Sequence, residues 1–188
     1  GVLTGYNTDG EGYIESLTQE TAFEVSNKNI LMLGAGGAAR GILYALLKRN
    51  PSKITIANRT IERAENLKAE FSKFFPEATI NITGTNKIES IETFDLIINT
   101  TSSGMSGTEE TKLIVEPKNF KKDAVVSEII YKPMETPLLI EAEKNGLRLH
   151  KGLGMLIHQG ALGFKLWTGK DAPVEAMRSA ALVSLEAR

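Results

Sequence analysis

Gly34, Ala35, Gly36, Gly37 and Ala38 directly follow a short apolar run, Asn29-Ile30-Leu31-Met32-Leu33. Beyond them, Ala39, Ile42, Leu43, Leu46 and Leu47 recur at helical spacing as far as Arg49. The order is therefore strand, glycine turn, helix. The first turn of such a helix offers unpaired backbone N–H groups and the positive end of the helix dipole. Glycines let that backbone reach contact distance of a pyrophosphate, and the pattern tolerates Ala39 in place of its third glycine. A glycine turn can also be no more than a tight packing corner. The strand before it and the helix after it favour a dinucleotide.

A second cluster lies one strand further on, where Lys53 to Ala57 ends at Asn58, Arg59 and Thr60. A NAD site places an acid about 20 residues past the glycines to accept from the ribose 2′-OH. Asn58 and Arg59 stand there instead, and Arg63 follows one helical turn later. Two guanidinium groups beside a helix start suit a 2′-phosphate, hence NADP rather than NAD. The plainer alternative is a pair of solvated surface charges.

Three further positions have polar groups where they count. Asn7-Thr8-Asp9 begins a short helix marked by Tyr13, Ile14 and Leu17, and Thr8 with Glu11 forms a capping-box pattern. Asp9 can have a second task, because a carboxylate at a helix start stays ionised and can accept from a lysine or a substrate hydroxyl. Asn99 to Ser103, with Thr100, Thr101 and Ser102 between them, follow the apolar run Leu96-Ile97-Ile98. Ligands of open parallel sheets bind at that end of the strands. Gln159 shares a helical stripe with Gly152, Met155 and Gly163. It either presents an amide to a ligand or sits in a small-residue packing seam, satisfied by backbone. His150 and His158 have no carboxylate or serine at a telling spacing and read as structural.

The elements that must carry these groups alternate. Strands are expected at residues 29–33, 53–57, 79–83, 96–99, 123–130 and 147–150, with helices between them, which gives six strands in a doubly wound α/β sheet. The helix after the second strand should bury Ala64, Leu67, Phe71 and Phe74 on one face. Residues 107–119 read as a surface excursion. Trp167 reads as a core anchor. The last helix, Val174 to Glu186, carries an apolar stripe of Val174, Met177, Ala181, Leu182 and Leu185 that needs a partner surface, and Asp171-Ala172-Pro173 precedes it as a cap.

Composition excludes several classes. The chain has 188 residues, 41% of them hydrophobic and 24% charged, at a net charge of −1. That balance gives no reason to expect nucleic acid or an anionic membrane as partner. The cysteine count is zero, so disulfides and thiolate metal sites are out, and nothing points to a metal. No apolar run approaches the ~20 residues a bilayer demands. A reducing cytoplasm fits.

Six motifs in order, G-Y-N-T-D-G, G-A-G-G-A-A-R, N-R-T-I-E-R, N-T-T-S-S-G-M, I-I-Y-K-P and G-L-G-M-L-I-H-Q-G-A, resemble the shikimate dehydrogenase family over essentially the whole chain. The resemblance implies a Rossmann-like, mostly parallel six-stranded sheet with helices on both faces. It implies that Gly34, Ala35, Gly36, Gly37 and Ala38 hold the NADP pyrophosphate and that Asn58, Arg59, Thr60 and Arg63 hold the 2′-phosphate. Thr100, Thr101, Ser102 and Ile129 would line the nicotinamide path, with the Gly152 backbone and Met155 at that end. Asp9 would be half of a catalytic Lys–Asp pair, and Asn7, Asp9, Tyr131 and Gln159 would contact shikimate or 3-dehydroshikimate. The implied reaction is the reversible, NADP-dependent reduction of 3-dehydroshikimate to shikimate, a step toward chorismate and the aromatic amino acids. Residues 1–188 would be the cofactor domain, with 1–20 and 151–188 as hinge elements toward an N-terminal substrate domain that carries the lysine. Because Gly1 opens the chain without a methionine, the expectation is a piece of a longer enzyme, inactive alone. A homodimer is compatible with the resemblance. The alternatives are a quinate/shikimate dehydrogenase using NAD and a non-catalytic NADP-binding module.

Overall fold

The structure, a computed structural model, describes residues 1–107 and 113–186. In chain order the elements are α1 (Asp9–Thr21), β1 (Asn29–Leu33), α2 (Gly37–Leu47), β2 (Lys53–Ala57), α3 (Ile61–Phe71), β3 (Ile80–Thr83), β4 (Leu96–Asn99), β5 (Val125–Glu128), α4 (Pro137–Lys144), β6 (Arg148–His150), α5 (Gly152–Thr168) and α6 (Val174–Glu186). The six strands form one sheet in the order β3-β2-β1-β4-β5-β6, and every pair is parallel. The expected "mostly parallel" sheet is thus wholly parallel.

The four central strands are buried on both sides, and their period of two divides the core. Ile30, Met32, Ile54, Ile56, Leu96 and Ile98 point to one face, where they meet α1, α2 and α3 through Leu17, Ile42, Leu46, Leu67 and Phe71. Leu31, Leu33, Ile97 and Val126 point to the other, where Leu138, Leu139 and Ala142 of α4 cover them together with Val115 and Phe120. A continuous apolar strand has no solvent face to spend on polar residues. That is why β1 reads as an unbroken apolar run.

Four local expectations change. Thr8 makes no side-chain cap on α1; the Asp9 N–H donates instead to Asn7 Oδ1 at 2.9 Å, and Glu11 turns to Arg49 at 2.7 Å. A guanidinium outcompetes a capping-box N–H for that carboxylate. Helix α3 stops at Phe71, so Phe74 swings out to 70% exposure, and Phe75 takes its place against Tyr44 and Phe71. Trp167 is 87% exposed, and its neighbours from Phe164 to Thr168 in the last turn of α5 are exposed too. Of the excursion at 107–119, residues 108–112 lie outside the described residues; the rest is not all surface, since Val115 and Pro117 are buried.

Helix α6 finds a partner within the chain. Its stripe residues Val174, Met177, Ala181, Leu182 and Leu185 are half-buried, and Met177 reaches Gly160 of α5. Arg178 pairs with Glu20 of α1 at 3.2 Å. Asp171 does not act as a cap alone; it pairs with Lys165 at 2.7 Å. Among the described residues no helix is long and apolar enough to cross a membrane, and no cluster of three or more His, Asp or Glu could hold a metal ion.

Candidate functional site

Register sets the floor of the site. Leu33 pairs with Ala57 and with Asn99, and Asn99 with Glu128, so the last residues of β2, β1, β4 and β5 stand in one row. The order of strands reverses between β1 and β4, and the crevice above that point is where such sheets take their ligands.

Gly34 leaves β1 at φ +105°, with its N–H donating to Ala57 O at 2.8 Å. A Cβ there would also come within 2.7 Å of Thr100 Oγ1. Thr100 closes the corner from the β4 side, donating both its N–H (2.9 Å) and its hydroxyl (2.7 Å) to Leu33 O. Gly36 then caps α2 in an extended conformation with no side chain satisfying the helix start. Gly36 and Gly37 are exposed, with open space where a Cβ would be, and Ala35 and Ala38 are half-buried beside them. Four backbone donors of a helix start lack internal partners, and among the described residues nothing lies within 4 Å of a Cβ built on Gly36 or Gly37. An anion fits this cradle.

At the end of β2, Asn58 donates from Nδ2 to Thr60 O at 2.7 Å, which shapes the turn into α3. Arg59, Thr60 and Arg63 are exposed around that turn. Asn58 and Arg59, not an acid, follow β2 directly, and Glu62 lies in the first turn of α3. Thr101, Ser102, Met105, Ile129 and Tyr131 line a cleft of about 470 Å³ with Thr100. The start of α5 closes on its rim: a Cβ on Gly152 would lie 2.5 Å from the carbonyl oxygens of both Ile129 and Ile130. Met155, one turn on, packs against the edge of the core.

The α1 residues lie along a different seam. Gly10 lets α1 touch the Gly41 carbonyl of α2, and Gly12 admits the backbone of Gln159, with a built Cβ only 2.5 Å from Gln159 N. Gln159 donates to Leu156 O in its own helix at 3.1 Å. The Gln159 backbone thus packs against α1, and its amide is bonded within α5. Asn7 is spent on the Asp9 N–H. The structure thus gathers Gly34–Ala38, Thr100–Ser102, Ile129, Tyr131 and Gly152 around the crevice. It sets Asp9, Asn7 and Gln159 along the α1 seam that leads from it.

Two buried polar networks escaped the sequence reading. Glu128, fully buried, accepts from the Ile129 and Ile130 N–H groups (2.9 and 3.1 Å), Asn99 Nδ2 (2.9 Å) and Thr136 Oγ1 (3.1 Å). Burial pushes its carboxyl up to about 7, against the pull of those four donors. The only signal was a lone carboxylate inside the apolar run from Ala124 to Ile130. The second network runs Tyr13 OH to Ser127 Oγ (2.9 Å), Ser127 Oγ to His150 Nδ1 (2.8 Å) and His150 Nε2 to Ser16 Oγ (2.8 Å). Burial and the neighbouring His158 charge hold His150 down at about 4, so its imidazole is neutral near pH 7. His158 is buried with Nε2 unpartnered and Nδ1 3.8 Å from Glu15. His150 thus ties α1 to the sheet, and His158 lies between α5 and Glu15 of α1.

Known proteins share this arrangement. Residues 16–127 match the shikimate / quinate 5-dehydrogenase family, and residues 152–182 match the shikimate 5′-dehydrogenase C-terminal domain. A shikimate dehydrogenase (NADP(+)) of Methanococcus maripaludis is 44% identical over 179 residues, which is 95% of this chain and 63% of that protein. A crystal structure of a shikimate dehydrogenase in complex with NADP+ superposes with a TM-score of 0.87 at 40% identity, over 96% of this chain and 62% of the other. A quinate dehydrogenase from Corynebacterium glutamicum in complex with NAD also gives 0.87, at 28% identity, over 96% and 63%. The chain spans a little under two thirds of the length of these relatives. The sheet, the glycine turn and a family match over more than half its residues agree: this chain belongs to the shikimate / quinate 5-dehydrogenase family.

Proposed function

We propose that this chain is the NADP-binding part of a cytoplasmic shikimate dehydrogenase, which interconverts 3-dehydroshikimate and shikimate. The observation that carries the reading is the pairing of an uncapped, side-chain-free start of α2 with Arg59 and Arg63, not an acid, at the end of the neighbouring strand. When bound, NADPH supplies the hydride, and with one proton the ketone becomes the alcohol. The residues of this chain do the rest. Gly34 to Ala38 hold the diphosphate through backbone N–H groups. Arg59 and Arg63 with Asn58 and Thr60 hold the 2′-phosphate, a contact a NAD enzyme has no use for. Thr100, Thr101, Ser102, Ile129, the Gly152 backbone and Met155 set the nicotinamide end in the cleft. Tyr131 and Gln159, with Asn7, face the substrate side. Asp9 keeps a lysine of the substrate domain protonated and oriented, so that its proton can pass to the new alkoxide. Residues 1–20 and 151–188 form the seam to that domain.

The test is a pair of titrations. The wild-type chain binds NADPH more tightly than NADH. Replacing both Arg59 and Arg63 by Leu weakens NADPH at least about tenfold, the scale of one lost charged hydrogen bond, and leaves NADH unchanged. Equal NADPH affinity in the variant overturns the phosphate assignment; a wild-type preference for NADH points to a quinate or shikimate dehydrogenase using NAD. The 188 residues alone bind cofactor without turnover. Steady-state activity with shikimate and NADP would remove the need for a lysine from another domain.

A further inference from the structure

Glu128 takes no part in the contacts proposed above, yet it binds the backbone of the 129–130 exit directly and reaches the 99–103 loop through the Asn99 side chain. It is the last residue of β5, fully buried, and has four hydrogen-bond donors around its two oxygens. Oε1 accepts from the N–H groups of Ile129 and Ile130 and so fixes the path of the strand exit that leads to Tyr131. Oε2 accepts from Thr136 Oγ1, and that hydroxyl in turn accepts the Leu139 N–H at the start of α4 (3.4 Å). Oε2 also accepts from Asn99 Nδ2. The Asn99 side chain then reaches the other wall: its Oδ1 accepts from the Thr101 N–H (3.0 Å) and the Thr101 hydroxyl (2.7 Å), and its Nδ2 donates to Ser103 O (3.3 Å). One carboxylate thus joins the 99–103 loop, the 129–131 exit and the cap of α4. These are the two walls between which Thr100, Thr101, Ile129 and Tyr131 lie.

We infer that Glu128 is a positioning residue, whose carboxylate sets the spacing of the two loops that receive the nicotinamide half of the cofactor. The inference rests on the cofactor reading above for the identity of that ligand, but the clamp itself is a property of the chain. A buried carboxylate is an expensive group to keep in an apolar sheet. Four donors make it tolerable, and no other acceptor of this size could serve both walls at once. A glutamine has the same shape but only one accepting atom. Whichever way its amide is turned, either the two backbone N–H groups or the Asn99–Thr136 pair faces an NH₂.

The experiment compares wild type with Glu128→Gln by titration with NADPH and with 2′,5′-ADP, which contains only the adenosine half. Amide exchange is followed in the same two proteins. In the variant NADPH binding weakens about tenfold, the effect of withdrawing one buried charged-acceptor bond. Binding of 2′,5′-ADP stays within about twofold, and exchange speeds up at Thr101, Ile129 and Ile130 but not at Leu31 or Ile56. Equal losses for both ligands, or unchanged binding of both, overturn the positioning role. If wild type binds neither ligand, the cofactor reading falls by itself. The clamp is then judged on exchange: selective loss of protection at those three amides upholds it, and uniform or absent change refutes it.

Discussion

Gly34 is the residue at which backbone and ligand requirements coincide. Its φ of +105° and the 2.7 Å from a built Cβ to Thr100 Oγ1 leave no room for a side chain. Gly34→Ala should therefore cost about 1–3 kcal/mol in chemical denaturation, from strain at one backbone position. It should also lower NADPH affinity by displacing the turn. Trp167 is the opposite case. At 87% exposure its replacement by Ala should change stability by no more than about 0.5 kcal/mol in the same assay. Both differ in how far the sequence revealed them. A glycine between a buried strand and a helix announces its own geometry, because only glycine takes that conformation freely. A tryptophan announces only that it is large. Whether it is covered depends on what the last turn of α5 packs against, which no local pattern encodes.

At the scale of elements, α1 is held by close backbone approach as well as by Tyr13, Ile14 and Leu17 in the core. Gly10 faces α2 at Gly41, Gly12 faces α5 at Gln159, and Gly154 of α5 faces Ser16. Gly12→Ala should lower stability by about 1–3 kcal/mol, since a methyl group there meets the Gln159 backbone, which cannot yield as a side chain end can. Gly163→Ala, on the same stripe but with open space around it, should instead raise stability by up to about 1 kcal/mol through helix propensity. Thermal melting of the two variants distinguishes a packing seam from a stripe of interchangeable small residues. The stripe itself was legible from its spacing of three and four. Which of its members touch a neighbour was not, because α1 and α5 lie near opposite ends of the chain and only the fold brings them together.

Across the whole molecule, two buried titrating groups set opposing pH slopes. Burial raises the Glu128 carboxyl to about 7 from its ordinary 4.5. A raised carboxyl favours folding fully below 4.5 and loses that contribution as pH rises through 7, by about 3 kcal/mol in all. His150 is depressed to about 4 from 6.5. Its contribution is present above 6.5 and is lost as pH falls toward 4, by a similar amount of about 3 kcal/mol. Between 4.5 and 6.5 the two nearly cancel. Compared with wild type, Glu128→Gln should make stability rise with pH in that window, and His150→Gln should make it fall. Urea denaturation of both variants at pH 4.5, 5.5 and 6.5 reads the two slopes directly; parallel curves for all three proteins would refute both assignments.

The sequence by itself determined the order of strands and helices, the glycine turn before α2 and the absence of an acid where NAD would need one. All three follow from contiguous residues: an unbroken apolar run, a run of glycines, a strand end. Tertiary structure alone decided which polar residues share a buried network. Glu128, Asn99 and Thr136 come from β5, β4 and the cap of α4, and Tyr13, Ser127 and His150 from α1, β5 and β6. A parallel sheet places residues distant in the chain side by side at its strand ends. Hydrogen bonds across that row depend on register and depth, and neither quantity is written in the spacing of residues along the chain.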